Sequence, residues 1–186
     1  MFEELLARLG ELLQRYKIPY MIIGGQAVLL YGEPRLTRDI DITLGVNTER
    51  LEDILKLIRE IPLKPLPADI YDFVKTTMVL PCLHEDTGIR VDIIFSFSAY
   101  ENNAISRARR IPVSGREVSF ASPEDVIIHK IFAGRPRDLE DVKTILLKNP
   151  GLDIKYIEGW LMEFDNSLEG KDFLKTFNEI LNQIDQ

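Results

Sequence analysis

Apolar side chains recur every three or four positions at the start of the chain, which is the spacing of a helix with one buried face. This helix is predicted over 2–16. The continuously apolar run 20–23 predicts a short buried strand that leads into the pair Gly24-Gly25. A short helix over 26–31 and a second strand over 39–44 are predicted next.

The middle of the chain alternates helical patterns with β-rich runs joined by turn residues. Three proline residues within 62–67 predict a loop there. The pattern predicts helices over 49–60 and 100–109, one hairpin of strands 76–83 and 89–97, and a second hairpin of strands 111–113 and 117–121.

Only helical patterns follow residue 121. Ser122-Pro123-Glu124-Asp125 is a strong helix start, with a serine cap, a proline in the first turn and acids near the positive end of the helix dipole. We therefore predict a mixed α+β fold: a mostly antiparallel sheet flanked by helices over residues 1–121, and a C-terminal helical bundle over 122–186.

Composition and charge narrow the class of protein. The 186 residues are 45% hydrophobic and 28% charged, with a formal net charge of −7, which argues against a general nucleic-acid binder. The segment 107–137 is the exception, with seven basic residues against three acidic ones, and it marks where an anionic ligand would be tolerated. One cysteine, no visible secretory signal and no apolar run near the ~20 residues of a membrane span predict a cytoplasmic protein without membrane segments.

Two carboxylates stand out on the second predicted strand. Asp39 and Asp41 are two residues apart, so they lie on one face, while Ile40 and Ile42 point the other way into a core. Like charges this close repel unless a proton or a cation neutralises them. Asp92, inside a later apolar strand, is a third acid of the same kind, and carboxylate oxygens are preferred ligands of Mg²⁺. The sequence predicts a Mg²⁺ site of one or two ions held by Asp39, Asp41 and Asp92.

The glycine pair predicts a second feature of the same site. Gly24-Gly25 precedes a predicted helix, and backbone N–H groups at a helix start bind anions such as phosphate. Taken alone, a glycine pair after a strand is usually only a turn.

These motifs together resemble a known family. A glycine pair, a helix, Asp-x-Asp and a later lone Asp are similar to the polymerase-β-type nucleotidyltransferase superfamily. The strings Gly24-Gly25-Gln26-Ala27 and Arg35-x-Thr37-x-Asp39-Ile40-Asp41, followed by a motif from Pro123 to Asp141, resemble the minimal bacterial nucleotidyltransferases related to AbiEii-type toxins.

The resemblance implies roles for the matching residues. Gly24 and Gly25 would receive the triphosphate of an NTP substrate, Asp39, Asp41 and Asp92 would bind metal, and Asp92 would also take the proton of the acceptor hydroxyl. Lys130 would contact phosphate or nucleotide, Asp138 and Asp141 would line the pocket or order its basic residues, and Arg38 or Arg137 would neutralise charge on phosphate. From the residues alone, the alternative stays open that Lys130 is a surface lysine and that Asp138 and Asp141 only cap a helix that begins at Pro136.

The implied activity is transfer of a nucleoside monophosphate from NTP to an acceptor hydroxyl on RNA, such as a tRNA end, or on a partner protein. The resemblance also suggests the toxin of a toxin–antitoxin system. Two alternatives stay open: an antitoxin-type enzyme that transfers AMP to a partner nuclease, and a catalytically silent nucleotide- or partner-binding module.

Overall fold

The computed structural model describes residues 2–34, 36–96 and 98–184. Arg35 and Phe97, which fall in the predicted motif string and at the end of a predicted strand, lie outside the described residues. The helices of the described residues are α1 Phe2–Arg15, α2 Gly24–Tyr31, α3 Leu51–Ile58, α4 Ile70–Thr77, α5 Ala99–Ser106, α6 Pro123–Ala133, α7 Pro136–Lys148, α8 Ile154–Ser167 and α9 Phe173–Ile184. The strands are β1 Tyr20–Ile23, β2 Asp39–Leu44, β3 Leu63–Pro65, β4 Val79–His84, β5 Ile89–Phe95, β6 Arg109–Val113 and β7 Arg116–Phe120.

The seven strands form one sheet in the order β3-β4-β5-β2-β1-β7-β6. Strands β5 and β2 are parallel, as are β1 and β7, and the other neighbouring pairs are antiparallel. The predicted mixed, mostly antiparallel sheet with helices is therefore confirmed.

The chain divides into two compact units. The first contains Met1–Gln26 and Leu36–Ala121, and the second contains Ala27–Arg35 and Ser122–Gln186. Helix α2 runs across the division, because Gly24, Gly25 and Gln26 belong to the first unit and the rest of the helix to the second. The predicted functional division at residue 121 stays a prediction.

The core of the first unit is built on the central strands of the sheet. All four residues of β1 are buried, and β2 buries its last three residues together with Ile40. Helix α1 buries one leucine-rich face, as its spacing predicts, and Gln14 on this helix donates a 2.9 Å hydrogen bond to the carbonyl of Glu117. Central strands without exposed edges give the loops at their ends a rigid base.

A buried polar network ties helices together in the second unit. Ser122 caps α6 by accepting from the backbone N–H of Asp125, as its sequence predicts. The Asp125 carboxylate is fully buried, and it accepts hydrogen bonds from the Ser122 hydroxyl at 2.6 Å and from the Tyr156 hydroxyl on α8 at 2.8 Å. This network fixes the start of α6 against α8.

Several predicted boundaries are wrong. Helix α4 was not predicted, and its last two residues fall in the predicted strand 76–83, which begins only at Val79. The start of α4 is capped by Asp69, which accepts from the N–H of Asp72 at 3.0 Å. The three-residue strand β3 lies in the predicted loop 62–67, and Pro65 is tolerated there because β3 is at the edge of the sheet. Helix α5 ends at Ser106 rather than 109, because β6 begins at Arg109 and pairs with β7.

Candidate active site

Gly24 brings the end of β1 against the carboxylate of Asp41. The backbone of Gly24 has φ +64°, a left-handed conformation that favours glycine. A Cβ placed on Gly24 would lie 2.0 Å from Oδ2 and 2.8 Å from Cγ of Asp41, closer than any real contact. Helix α2 begins at Gly24 itself, earlier than predicted, so the glycine pair forms the first residues of the helix, with Gly25 buried. This close approach gives Gly24 a role that its sequence context does not reveal.

The three predicted carboxylates share one face of two neighbouring strands. Strands β2 and β5 run parallel, with Asp41 opposite Asp92, and Asp39 lies two residues before Asp41. Residues in direct register lie on the same side of the sheet, and the strands are about 4.8 Å apart. Asp39 is exposed, whereas Asp41 and Asp92 are half-buried. The structure thus brings Asp39, Asp41 and Asp92 together beside the glycine turn.

Arg90 is a functional candidate that the sequence interpretation missed. It stands opposite Asp39 and two residues before Asp92, and therefore on the carboxylate face. Its Nε donates to both oxygens of Asp92, at 2.9 Å to Oδ1 and 3.1 Å to Oδ2. The hydrogen bond and the charge of Asp92, helped by the charges of Asp39 and Asp41, raise the pKa of Arg90. The signal was present in the sequence, because Arg90 and Asp92 are separated by the strand period of two.

The three carboxylates have the donor chemistry of a divalent metal site. Within 2–34, 36–96 and 98–184, no three side chains of His, Cys, Asp or Glu are already gathered as a metal cage. The chemistry nevertheless fits, since two neighbouring strands present hard carboxylate oxygens on one face, and a cation, the Arg90 guanidinium, already lies against Asp92. Asp39, Asp41 and Asp92 are the residues that would hold Mg²⁺, and this assignment stays a prediction.

Gln26 connects the start of α2 to the strand that carries the acids. Its side chain is 8% exposed, and its Nε2 donates to the hydroxyl of Thr37 and, at 3.4 Å, to the backbone carbonyl of Asp39. Arg38, between these two residues, is exposed. The buried amide therefore positions the approach to β2, which sequence reasoning did not foresee.

Lys130, Asp138 and Asp141 form a buried cluster within the second unit. The ammonium of Lys130 lies 2.7 Å from Oδ1 of Asp138 and 2.9 Å from Oδ2 of Asp141, and all three side chains are less than a tenth exposed. Arg135 adds hydrogen bonds to both oxygens of Asp138, at 2.5 and 3.3 Å. The interpretation of Lys130 as a surface lysine is therefore wrong. The two acids are one turn apart on α7 and both contact Lys130, while Arg137 is exposed.

The electrostatics of this cluster depend on its two cations. Burial by itself would raise the pKa of Asp138, but the hydrogen bonds from Arg135 and Lys130 outweigh burial, and the pKa is lowered. Asp138 is thus held as a carboxylate. The predicted contacts of Lys130, Asp138 and Arg137 with nucleotide stay predictions.

A cavity of about 300 Å³ lies at the other end of β1. It is lined by residues such as Tyr20, Arg110 and Ser119, and it contains none of the predicted site residues. Tyr20 begins β1 and Gly24 follows its end, so the cavity is distinct from the carboxylate face.

Comparison with known proteins identifies the protein family to which the chain belongs. A family model described as "Nucleotidyltransferase of unknown function (DUF6036)" matches residues 1–183. The chain belongs to the DUF6036 nucleotidyltransferase family. No curated protein matches this DUF6036 member. In the part of the chain that the structure describes, no helix is long and apolar enough to cross a membrane.

Solved structures with nucleotidyltransferase folds resemble this DUF6036 protein. The antibiotic-resistance factor ANT(2'')-Ia is 16% identical, with a TM-score of 0.61 over 89% of this chain and 92% of its own. An antigenic nucleotidyltransferase-like protein from Paracoccidioides brasiliensis is 16% identical, with a TM-score of 0.56 over 94% and 92%. The lincosamide antibiotic adenylyltransferase LnuA is 18% identical, with a TM-score of 0.52 over 75% and 92%. These similarities establish the fold that the sequence predicted.

Proposed function

We propose that this protein transfers a nucleoside monophosphate from an NTP to an acceptor hydroxyl in a Mg²⁺-dependent reaction. The observation that carries the proposal is the register of Asp41 with Asp92, which collects three carboxylates on one face beside the turn at Gly24. Membership of a nucleotidyltransferase family supports it.

The chain's own residues provide binding, orientation and proton removal. The backbone N–H groups at the start of α2, around Gly24 and Gly25, bind the triphosphate. Asp92 accepts the proton of the acceptor hydroxyl, whose oxygen forms a bond to the α-phosphorus. The bond from that phosphorus to the oxygen bridging the β-phosphorus breaks, and pyrophosphate leaves with the electron pair. Mg²⁺ bound by Asp39, Asp41 and Asp92 would supply charge neutralisation on the phosphates.

For the acceptor we propose RNA, such as a tRNA end, in a toxin setting; this part is supported by the resemblance to AbiEii-type toxins. A protein hydroxyl on a partner nuclease is the alternative acceptor of an antitoxin-type enzyme. Because ANT(2'')-Ia in complex with adenylyl-2''-tobramycin and lincomycin-bound LnuA share the fold, tobramycin and lincomycin belong in the acceptor panel as well.

The test incubates the protein with each α-³²P-labelled NTP, MgCl₂ and the acceptor panel, and follows label transfer. Asp41→Asn is expected to abolish transfer, because it removes a carboxylate at the centre of the face. Asp86→Asn is the matched control, since it makes the same chemical change at an exposed position in the turn between β4 and β5. A silent binding module would bind NTP yet transfer no label to any acceptor, and that result would refute the proposal.

A further inference from the structure

Arg90 has a position that the proposed reaction does not yet use. It lies on the carboxylate face, its side chain is 56% exposed, and Asp92, its ion-pair partner, is 20% exposed. Both of its hydrogen bonds come from Nε and go to Asp92. The terminal nitrogens Nη1 and Nη2 make none within the described residues.

We propose that Arg90 is a built-in counter-cation that holds Asp92 in the metal-free protein, and that its guanidinium must release Asp92 before this carboxylate can bind a divalent ion. The proposal rests on the proposed function, because it assigns Asp92 to the metal. Arg90 is a positioning residue in this sense: it acts through Asp92 and sets how readily the site accepts metal.

The geometry supports competition rather than simple structural pairing. The Nε–H of Arg90 is shared between both oxygens of Asp92, so it takes one lone pair on each oxygen and lies where an ion bound by both oxygens would have to sit. Arg90 also faces Asp39 across the strands, so its charge opposes a second cation anywhere on this face. A purely structural salt bridge at this exposure contributes little to folding. We therefore expect the loss of Arg90 to change the free energy of unfolding little.

Release of Asp92 would leave the guanidinium beside the bound nucleotide. A planar guanidinium binds phosphate oxygens in a bidentate manner, and the terminal nitrogens are the ones available for this. The polyphosphate would then draw Arg90 away from Asp92 and so promote metal binding. By linkage, the metal would promote nucleotide binding to the same extent.

The experiment measures Mn²⁺ affinity by electron paramagnetic resonance, without nucleotide and at low ionic strength. Arg90→Met is expected to bind Mn²⁺ about three- to tenfold more tightly than wild type, because a repulsive charge and a competitor are removed. Arg50→Met is the matched control, since Arg50 also pairs with an aspartate, Asp53 at 2.6 Å, but away from the carboxylates. Structural damage would weaken metal binding, so the direction of the change is diagnostic. Unchanged or weaker Mn²⁺ binding by folded Arg90→Met would overturn the proposal.

Two further measurements test whether the effect of Arg90 acts through Asp92 and provide a second variant. In an Asp92→Asn background the gain from Arg90→Met should vanish, because the effect acts through Asp92, and a persisting gain would contradict the mechanism. If Arg90→Met does not fold, Arg90→Lys replaces it. The lysine keeps the charge but loses the planar guanidinium, so its Mn²⁺ affinity is expected to lie between that of wild type and a value tenfold tighter. Affinity no tighter than wild type would count against the proposal.

Nucleotide coupling tests the second half of the proposal. An NTP analogue with a methylene between the α- and β-phosphorus should raise Mn²⁺ affinity by a larger factor in wild type than in Arg90→Met. Equal factors would refute the proposal that the Arg90 guanidinium moves from Asp92 to the polyphosphate. Failure of the proposed function has a different signature: wild type would transfer no label to any acceptor even though Arg90→Met tightens Mn²⁺ binding.

Discussion

The carboxylate of Asp41 lies against the backbone of Gly24, in the space that a Cβ would occupy in any other residue. The end of the central strand β1 thus contacts the middle of β2 at Asp41, next to the other two acids of the site. The contact explains why a glycine is required at the start of α2, independently of any bound phosphate.

Gly24→Ala is expected to destabilise the protein by more than about 2 kcal/mol, because it adds steric overlap to the cost of a left-handed conformation. Gly88→Ala is the matched control: Gly88 has φ +68° but no atom within 4 Å of an added Cβ, so it measures the conformational cost alone. Urea unfolding of both variants measures the difference. In an Asp41→Ala background the cost of Gly24→Ala should fall towards that of Gly88→Ala, and an unchanged cost would contradict the overlap.

Gln26 and Thr37 should be energetically coupled. Gln26→Leu and Thr37→Val each remove one partner of the partly buried hydrogen bond, and the double variant should lose about 0.5–1.5 kcal/mol less than the sum of the singles. Because the same amide reaches the carbonyl of Asp39, Gln26→Leu should also lower label transfer by more than its loss of folded protein explains. Additive unfolding energies would show that the hydrogen bond does not couple the two residues.

Cys82 should be unreactive in the native protein. Burial, with a smaller contribution from the charge of Asp92, raises the pKa of its thiol to about 12. Because ionisation of the buried thiol is unfavourable, the contribution of Cys82 to the free energy of unfolding is complete below the unfolded pKa of about 8.5. It is lost as the pH rises towards 12. Alkylation by iodoacetamide at pH 8 should be slow in the native protein and fast in urea. Equal rates would contradict the burial of Cys82.

The period of two along β2 was sufficient to predict that Asp39 and Asp41 share a face. Asp92 was assigned to the same site from its residue type and the family resemblance, because the period alone does not bring it to that face. That required the parallel pairing of two strands far apart in sequence, which forms through the packing of the whole sheet. Arg90 was overlooked for the same reason, since its alternation with Asp92 gains meaning only opposite Asp39. Helix α4 was missed because it is only eight residues long and closely follows prolines that indicate a loop, although Asp69 is a capping residue and Ile70, Phe73 and Val74 have helical spacing.

Lys130 should be far more important for folding than an ordinary helix lysine. Lys130→Met removes the buried ammonium that lies against both Asp138 and Asp141, and losing one partner of a buried ion pair costs about 3–5 kcal/mol. Lys143→Met is the matched control on α7, because its partner Glu140 is 68% exposed and such a solvent-accessible pair is worth under about 1 kcal/mol. Chemical denaturation should separate the two variants clearly. Similar losses would show that the buried cluster contributes no more than a surface pair.

The lowered pKa of Asp138 predicts a pH-dependent part of the stability. Hydrogen bonds from Arg135 and Lys130 favour the carboxylate in the folded protein, so Asp138 stabilises the fold above its unfolded pKa of about 3.9. This stabilisation is lost as the pH falls through the folded pKa, where native Asp138 also takes up a proton.

The difference in unfolding free energy between wild type and Asp138→Asn should therefore be largest at pH 6–7 and shrink below about pH 4. Measured in a Lys130→Met, Arg135→Met background, the difference should lose most of this pH dependence, because the two cations that lower the pKa are absent. A difference that stays constant from pH 7 to pH 3 would contradict the ionised state assigned to Asp138.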